Sequence, residues 1–420
     1  MAAVVIVGGS ALALRKHPEP CGLVTVSVFD DGSPLPDRAV VFQDASGEVT
    51  ASLKSGPDGK VASMLAAGGM ITVAYGTSVR QLVTIVGVAP GDTIEIGEHD
   101  NDEEGAGDTA ALARVTLPGS LDGGARYSVD LGVGAIEPRE GVARLPVLRR
   151  LVGADGGFSV LGLAYRADGR PAAFSFLETS LATPDAGDVA VTLPAWRTDF
   201  QGIDLALGRL EGDLHVTTGE LTTIAKEQQF SRASARVDPS GEGMTKVHFD
   251  VPGPLATTMS YRLELGYGAS NDRAVLVRRL AAFPDVVGVD LGTMLLPRVS
   301  AAHTEPTSEP ARPRLGWTAT GGSNDADALV VQLAWPQTKE HVWTILAPPS
   351  SRAGLRVPAL PEALRAWRPD GQPVQLSVAL VDSTEISGYA DARQHGVHRF
   401  SELPDRESAM RISRTGEVDF

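Results

Sequence analysis

Short segments in which apolar and polar residues alternate, separated by turn-forming residues, fill most of this chain. Val24, Val26 and Val28 alternate with Thr25 and Ser27, a pattern that places one set of side chains on the buried face of a strand. Glycine and proline are plentiful, at 46 and 28 of the 420 residues, and stretches that favour a helix are few. The sequence therefore predicts an all-β fold of tandem β-sandwich domains.

Changes in composition along the chain indicate where the domains end. Residues 99–108 contain five acidic residues and no lysine or arginine, and residues 301–313 contain three prolines; both compositions are typical of linkers. The chain is also too long for a single core. The expected divisions are a candidate signal segment at 1–20, a first sandwich at 21–98, an acidic linker at 99–110, sandwiches at 111–197 and 198–300, a proline-rich linker at 301–313, a tryptophan-containing sandwich at 314–403 and a polar tail at 404–420.

An internal repeat is indicated in the middle of the chain. The spacing from Pro118 to Tyr127 equals the spacing from Pro252 to Tyr261, and each tyrosine opens a strand-like segment. We therefore expect the two middle divisions to be related sandwiches. One larger double sheet that spans both divisions is the alternative.

Three turn and strand signals mark residues 21–98. The sequence Asp31-Gly32-Ser33-Pro34-Leu35 precedes a valine-rich strand, Asp58-Gly59 forms the next turn, and Gly68–Val73 leads into a further strand. In these features the segment resembles the carboxypeptidase regulatory-like family, a transthyretin-like β-sandwich module. It departs from the family pattern because aliphatic residues follow the second Asp-Gly turn, where an aromatic residue is usual. The resemblance implies a structural module, an immunoglobulin-like or transthyretin-like sandwich, and it carries over no catalytic residues. Because an acidic linker follows these residues, we also expect their core to be isolated and residues 21–98 to fold alone.

The N-terminus indicates export. Met1–Leu14 is an uncharged apolar run, which suits the apolar region of a signal peptide and is too short for a transmembrane helix. Basic residues follow the run at Arg15 and Lys16 instead of preceding it, so a buried first strand or helix is the alternative. The single cysteine, Cys21, excludes an intrachain disulfide and leaves the redox compartment open. We expect a protein that is periplasmic, on the cell surface or secreted, without a transmembrane span.

Patterns that carry catalysis or nucleic-acid binding are missing from the sequence. The net charge of −15 and the scattered arginines argue against nucleic acid as a partner. The motifs of zinc peptidases, serine hydrolases and dinucleotide-binding proteins do not occur. His395 and His398 lack a recognisable third metal ligand, and the calcium-loop pattern that begins at Asp100 has Ala111 where a bidentate glutamate belongs. We predict no enzymatic activity, no metal site and no cofactor.

Four of the five tryptophans lie in the last division. Trp335 and Trp343 fall within predicted strands, so we expect both in the core. Trp367 stands beside Arg365 and Arg368 and is the best candidate for an exposed ring. We predict that these three residues contact a ligand, because an exposed indole can stack on a sugar ring or on another side chain.

Together these expectations describe a non-catalytic, exported protein with a structural or binding role at the cell envelope, in one version adhesive. Its expected partner is a protein or a glycan at the cell surface. A carbohydrate-binding protein, or an accessory protein of a glycan-active system, is the alternative. A hydrolase whose two carboxylates are brought together only by the fold is the remote alternative.

Overall fold

The fold is known from a computed structural model. It describes residues 21–415 with the exception of 31–32, 76–79, 99–108, 125, 133, 183–186, 211, 226–227, 234–235, 240–244, 256–257, 281–283, 306, 323–324, 337–339, 352–353, 370–373 and 396–408. Most of the described residues lie in β-strands, with two short α-helices and three 3₁₀ turns. They pair into tandem sandwiches, so the predicted fold class is confirmed. The candidate signal segment and all but two residues of the expected acidic linker lie outside the described residues.

The first sandwich shows the alternation that its valines predict, since Val24, Val26 and Val28 are buried. One of its sheets has the order β2-β1-β5 with β8 parallel to β1, and the other has the order β4-β3-β6-β7. In the turn between β4 and β5, Gly59 has a φ of 72°, and a Cβ there would lie 2.4 Å from the carbonyl oxygen of Val28. The strands are β1 (Cys21–Asp30), β2 (Ser33–Pro34), β3 (Ala39–Gln43), β4 (Val49–Lys54), β5 (Lys60–Ala66), β6 (Gly69–Tyr75), β7 (Arg80–Val88) and β8 (Thr93–Glu98).

The second sandwich comprises β9 (Thr109–Thr116), β10 (Arg126–Asp130), β11 (Ala135–Ile136), β12 (Val142–Leu148), β13 (Gly157–Tyr165), β14 (Pro171–Ser180) and β15 (Gly187–Thr192). Its two sheets have the orders β12-β9-β15 and β11-β10-β13-β14. The core between them contains Val115, Val129, Leu145 and Phe158, all at most 1% exposed. A 3₁₀ turn at Arg149–Leu151 connects β12 to the next hairpin.

The third sandwich comprises β16 (Phe200–Gly208), β17 (Leu214–Ala225), β18 (Gln228–Ala233), β19 (Arg236–Pro239), β20 (Thr245–Pro252), β21 (Thr258–Tyr267), β22 (Arg273–Leu280) and β23 (Val286–Gly288). Its sheets have the orders β19-β20-β16-β23 and β18-β17-β21-β22. A 3₁₀ turn at Gly253–Leu255 and the short helix α1 (Leu291–Met294) complete this part of the chain.

The fourth sandwich comprises β24 (Arg298–Glu305), β25 (Arg314–Thr320), β26 (Ala328–Pro336), β27 (Glu340–Ala347), β28 (Leu355–Arg356), β29 (Gln375–Ser383) and β30 (Met410–Thr415). Its sheets have the orders β24-β25-β28 and β27-β26-β29-β30. A 3₁₀ turn at Glu362–Trp367 follows β28, and helix α2 (Gly388–His395) follows β29.

In each sandwich, the sheet given second above is called its second sheet, and its strand order is the same in all four sandwiches. In the first three, the first and last strands run parallel: β1 with β8, β9 with β15 and β16 with β23. Their second sheets share the order β4-β3-β6-β7, β11-β10-β13-β14 and β18-β17-β21-β22, and the fourth repeats it as β27-β26-β29-β30. The first sheet of the fourth sandwich differs, because β24, which comes first in the chain, pairs antiparallel with β25.

The second and third sandwiches share a strand order, but the motif from which the sequence repeat was predicted does not align their equivalent strands. Tyr127 lies in β10 and Tyr261 lies in β21. The shared topology equates β10 with β17, and β21 with β13. The equal spacing of prolines and tyrosines therefore joins strands that are not equivalent.

Three of the second sheets are joined edge to edge into one sheet of twelve strands. β7 pairs parallel with β27, from Arg80 opposite His341 to Ile85 opposite Leu346. β22 pairs antiparallel with β30, along five residue pairs. The first, third and fourth sandwiches are therefore connected by continuous backbone hydrogen bonding.

Part of the expected polar tail is a strand of this sheet. Residues 410–415 form β30 between β22 and β29. Ile412 is buried, whereas Arg411 projects to the other side and its Nε lies 2.8 Å from Oδ2 of Asp382. Four of the six residues of β30 are buried, although the segment is polar on average. Residues 301–305 likewise belong to β24, so the expected linker at 301–313 does not begin at residue 301.

The expected isolation of the first core does not hold. The core of the first sandwich is continuous with Ala328 and Val381 of the fourth. On the opposite face of the same sheet, Leu82 packs in one cluster with Leu360 and Leu364. That cluster also contains the two tryptophans predicted to be core residues, at positions 335 and 343, which are 1% and 0% exposed.

Candidate functional site

Trp367 is the last residue of the 3₁₀ turn that follows β28. Pro361 precedes the turn, in the extended conformation that allows a turn to begin after it. Leu364 is buried and anchors the turn on the core shared by the first and fourth sandwiches. Trp367 is half-buried against the same core, so part of its ring remains accessible to solvent.

Glu362 holds both predicted arginines beside Trp367. Nη1 of Arg365 lies 3.4 Å from Oε1 of Glu362, and Nη1 of Arg368 lies 3.4 Å from Oε2. Arg368 also donates from Nη2 to the carbonyl oxygen of Leu360 at 2.5 Å. The Arg365 side chain is 70% exposed and that of Arg368 only 19%. Arg365 is therefore able to turn towards a ligand, whereas Arg368 belongs to the structure of the turn.

A third guanidinium group comes from the first sandwich, and sequence reasoning missed it. Arg80 is the first residue of β7, and its Nη1 donates to the carbonyl oxygen of Ala366 at 2.7 Å. The guanidinium carbon lies 5.6 Å from the centre of the Trp367 ring, within the range of a cation–π interaction. No local pattern marks Arg80, because only the pairing of β7 with β27 brings it to Trp367.

His341 connects this surface to the core. It is 1% exposed and stacks on Trp335, with ring centres 5.3 Å apart and planes inclined by 18°. Its Nε2 lies 3.2 Å from Nη1 of Arg80 and 3.2 Å from the carbonyl oxygen of Ala366. Contacts therefore run without a break from the buried Trp335 to the accessible Trp367.

We call the group of Arg80, Glu362, Arg365, Trp367 and Arg368 the Trp367 surface. Its guanidinium groups are hydrogen-bond donors that suit carboxylates and hydroxyls. An accessible indole stacks on the apolar face of a sugar ring or on another side chain. The chemistry of this surface is suited to binding.

The remaining sequence candidates do not assemble into a metal site within the described part of the chain. His395 lies in α2, with Nε2 3.2 Å from Oδ1 of Asp391, while His398 and the calcium-loop pattern at 99–108 lie outside the described residues. Among the residues that the structure describes, no three metal-ligating side chains converge. Nor does any helix in this part have the length and apolar character needed to cross a membrane.

A cleft of about 580 Å³ lies where the third and fourth sandwiches meet. Arg298 lines it, with its guanidinium carbon 4.4 Å from the centre of the Tyr267 ring. Nη2 of Arg298 also lies 3.0 Å from Oδ2 of Asp272. This arginine is therefore already paired within the protein, and it fastens the start of β24 to the turn before β22.

Comparisons with known proteins do not assign the chain to a family. No known family and no curated protein matches the sequence. Among solved structures, the Bacillus anthracis TIE protein is 9% identical, with 64% of this chain covered, half of that chain covered and a TM-score of 0.15. The shaft pilin SpaA from Lactobacillus rhamnosus GG is 10% identical, with 42% of this chain and 99% of the pilin covered and a TM-score of 0.15. A streptococcal ancillary pilin is 9% identical, with 64% of this chain and 98% of the pilin covered and a TM-score of 0.14. Similarity at this level transfers no property to this chain.

Proposed function

We propose that this protein is a non-catalytic, exported scaffold with a structural or binding role at the cell envelope. The observation that carries the proposal is the twelve-stranded sheet that joins three of the four sandwiches. With neighbouring strands about 4.8 Å apart, such a sheet is roughly 50 Å wide. Sandwiches that share a hydrogen-bonded sheet keep a fixed relation to one another, which suits a protein that holds a binding surface in place.

Side-chain contacts between sandwiches support the scaffold role. The Arg312 side chain is 10% exposed, pairs with Glu48 and donates from Nη2 to the carbonyl oxygen of Ser46 at 3.0 Å. Glu309 lies 3.7 Å from Arg312 and 2.8 Å from Arg356. The segment between β24 and β25 is thereby fastened to the β3–β4 turn of the first sandwich. A buried arginine that satisfies several acceptors is more consistent with a fixed junction than with a hinge.

The proposal that the protein lacks enzymatic activity rests on the chemistry of its candidate surface and on the missing sequence motifs. The side chains around Trp367 are cations with one carboxylate, Glu362, which already pairs with two arginines. The carboxypeptidase regulatory-like assignment of residues 21–98 also belongs to this proposal. The two-sheet sandwich of β1–β8 supports it.

A glycan-binding function is the second candidate, and the half-buried ring of Trp367 favours it. Indole rings at this degree of burial offer an apolar face while their other side is held in the core. Arg365 beside the ring would donate hydrogen bonds to sugar hydroxyls or to an acidic sugar. A protein ligand with exposed carboxylates would use the same groups.

Screening the full chain against glycans and cell-envelope fractions, together with a broad hydrolase panel, tests this function. Trp367→Ala is expected to reduce binding while the fold remains intact. Trp335→Ala is expected instead to destabilise the protein by about 3–5 kcal/mol, because this tryptophan is fully buried. Turnover that disappears when a single aspartate or glutamate is replaced would refute the non-enzymatic proposal. N-terminal sequencing of protein from the native host tests export, and recovery of intact Met1 from the cytoplasm would contradict it.

A further inference from the structure

The last strand of each second sheet has the same position in all four sandwiches: β7, β14, β22 and β30. Three of these edges are covered by a strand of another sandwich, since β7 pairs with β27 and β22 pairs with β30. The fourth, β14, has no such partner among the described residues. Its outer edge makes one bridge, between Phe174 and Arg197.

The Phe174 bridge shows which backbone groups of β14 point outwards. The N–H of Phe174 donates to the carbonyl oxygen of Arg197 at 2.9 Å, and the N–H of Arg197 donates back at 2.8 Å. Hydrogen bonding alternates along an antiparallel strand, so the even-numbered residues after Phe174 also present their N–H and C=O groups outwards. These residues are Phe176, Glu178 and Ser180.

The neighbouring strand confirms this alternation independently. On β13, Ser159 makes its hydrogen bonds with Gln228, on the side away from β14. Ser159 is paired with Glu178, so Glu178 also directs its N–H and C=O away from the shared ladder. No backbone group in the described part of the chain bonds to the outward groups of residues 176, 178 and 180.

Most of the features that protect edge strands from pairing are missing from the exposed half of β14. Natural edges are protected by charged side chains, above all lysine, by proline, by bulges or by inward charges. Phe176–Ser180 contains one charged residue, Glu178, and no proline or lysine. Its pairing with β13 is regular over these five positions, because the single shift in register lies at Ala164/Tyr165.

The chain itself shows which partner fits this edge. β22 and β30 are equivalent last strands of two second sheets with the same strand order, and they pair antiparallel from Arg273 opposite Arg414 to Val277 opposite Met410. This pairing shows that the last strand of one second sheet can bind, edge to edge, the equivalent strand of another sandwich. The equivalent strand that remains available is β14 of a second copy. Antiparallel pairing of identical strands closes a twofold dimer and leaves no further edge of this kind open.

We propose that β14 pairs antiparallel with β14 of a second copy of this chain and joins two molecules into a symmetric dimer. Only the backbone groups of Phe176, Glu178 and Ser180 need to contribute, because those groups point outwards. The joined strands make one eight-stranded sheet from the two four-stranded sheets that contain β14. This inference goes beyond the proposed scaffold function, since it concerns assembly of the molecule.

Sedimentation of the full chain over a wide concentration range, with reductant to keep Cys21 from cross-linking, tests the proposal. A monomer–dimer equilibrium is expected. Glu178→Pro removes one outward N–H and leaves the β13–β14 hydrogen bonds in place, so dimerisation should weaken by about tenfold or more. Glu178→Ala, which keeps the N–H, should dimerise at least as well as the wild type. A chain that stays monomeric, forms larger open assemblies, or dimerises unchanged with Glu178→Pro overturns the proposal.

Hydrogen exchange of the wild type provides a test that needs no folded variant. The amides of Leu177 and Thr179 bond to β13 and should be protected at every concentration. The amides of Phe176, Glu178 and Ser180 should become protected only as the dimer forms. Exchange of these three amides that does not depend on concentration would refute pairing through β14.

Discussion

The indole Nε1 of Trp343 donates a hydrogen bond of 2.8 Å to Oγ1 of Thr84, although 259 positions separate the two residues. Oγ1 of Thr84 lies in turn 2.8 Å from Oγ1 of Thr72, which accepts from Nε2 of Gln43 at 2.9 Å. This buried series of contacts crosses four neighbouring strands, β27, β7, β6 and β3. The first and last parts of the chain therefore share one interior in which these polar groups satisfy each other.

Thr84→Val is expected to destabilise the protein by about 1–3 kcal/mol, because the Trp343 N–H and the Thr72 hydroxyl lose a buried partner while the side-chain shape is kept. Denaturant unfolding followed by tryptophan fluorescence measures the effect. Trp343→Phe completes a double-mutant cycle. In a protein that already carries Trp343→Phe, Thr84→Val should lower the free energy of unfolding by less than it does in the wild type. Equal effects in both backgrounds would mean that the hydrogen bond does not couple the two residues.

Residues 21–98 are expected to show no cooperative thermal unfolding as an isolated fragment. In the full chain every residue of β6 is buried, and the outer face of its sheet is covered by Leu360 and Leu364. Removing the rest of the chain would expose that face and the whole edge of β7 to water. Circular dichroism of the fragment checks this. A sharp transition like that of the full chain would show that the first sandwich is autonomous after all.

Local alternation predicted the strands, but it could not predict which strands meet. Val24, Val26 and Val28 are buried as their spacing predicts, because a half-buried strand has an apolar residue at every second position. β6 shows no such alternation of apolar and polar residues, since it is buried on both faces. The pairing of β7 with β27 depends on residues more than 250 positions apart, and no local pattern specifies such a distance.

The candidate surface was predictable to the same limited degree. Trp367, Arg365 and Arg368 are close in sequence, and the 3₁₀ turn keeps them together around Glu362. Arg80 reaches them only through the long-range sheet. The prediction of a tail at β30 is wrong because its arginines and serine make it polar on average, although four of its six residues are buried.

Ending the chain after residue 409 is expected to lower the thermal midpoint and to promote aggregation. β30 lies between β22 and β29, so its removal opens two long strand edges that lie next to each other. The truncation also removes Arg411, so the carboxylate of Asp382 loses its partner. A chain that ends after residue 415 is the matched control and should behave like the wild type. Light scattering during heating distinguishes the two truncations.

Asp327 is expected to stabilise the protein more as pH falls. A carboxylate in an ion pair on the surface does the reverse, because it loses its stabilising charge at low pH. Burial raises the pKa of Asp327, the nearby Asp382 raises it further, and the N–H of Ser383 opposes the change. A folded pKa above the unfolded value means that the ionised form costs stability at neutral pH. This cost is relieved as pH falls through the folded pKa.

The comparison of wild type with Asp327→Asn isolates this contribution. The asparagine side chain of the variant cannot titrate, so the thermal midpoint of the wild type relative to the variant should rise as pH falls from about 7 to about 4. Both proteins share every other titrating group, which cancels in the difference. A relative midpoint that falls over this range would show that Asp327 is stabilised in its ionised form by the N–H groups of Ser383 and Gly388, which lie 2.8 and 3.0 Å away.

Gln228→Met is expected to loosen the junction between the second and third sandwiches. Gln228 is 1% exposed; its Oε1 accepts from the N–H of Ser159, and its Nε2 donates to the carbonyl oxygens of Leu131 and Ser159 at 2.7 and 3.0 Å. Methionine has a similar length and none of these hydrogen bonds, so one buried donor and two buried acceptors lose their partner. Each unsatisfied group costs about 1–3 kcal/mol.

Gln201→Met, on the exposed side of β16, controls for the change of residue type. Hydrogen exchange should show faster exchange of the Ser159 amide in Gln228→Met only, together with a lower thermal midpoint. Unchanged protection of that amide would mean that apolar contacts, such as Phe176 with Phe230 at 6.4 Å between ring centres, hold the junction without it.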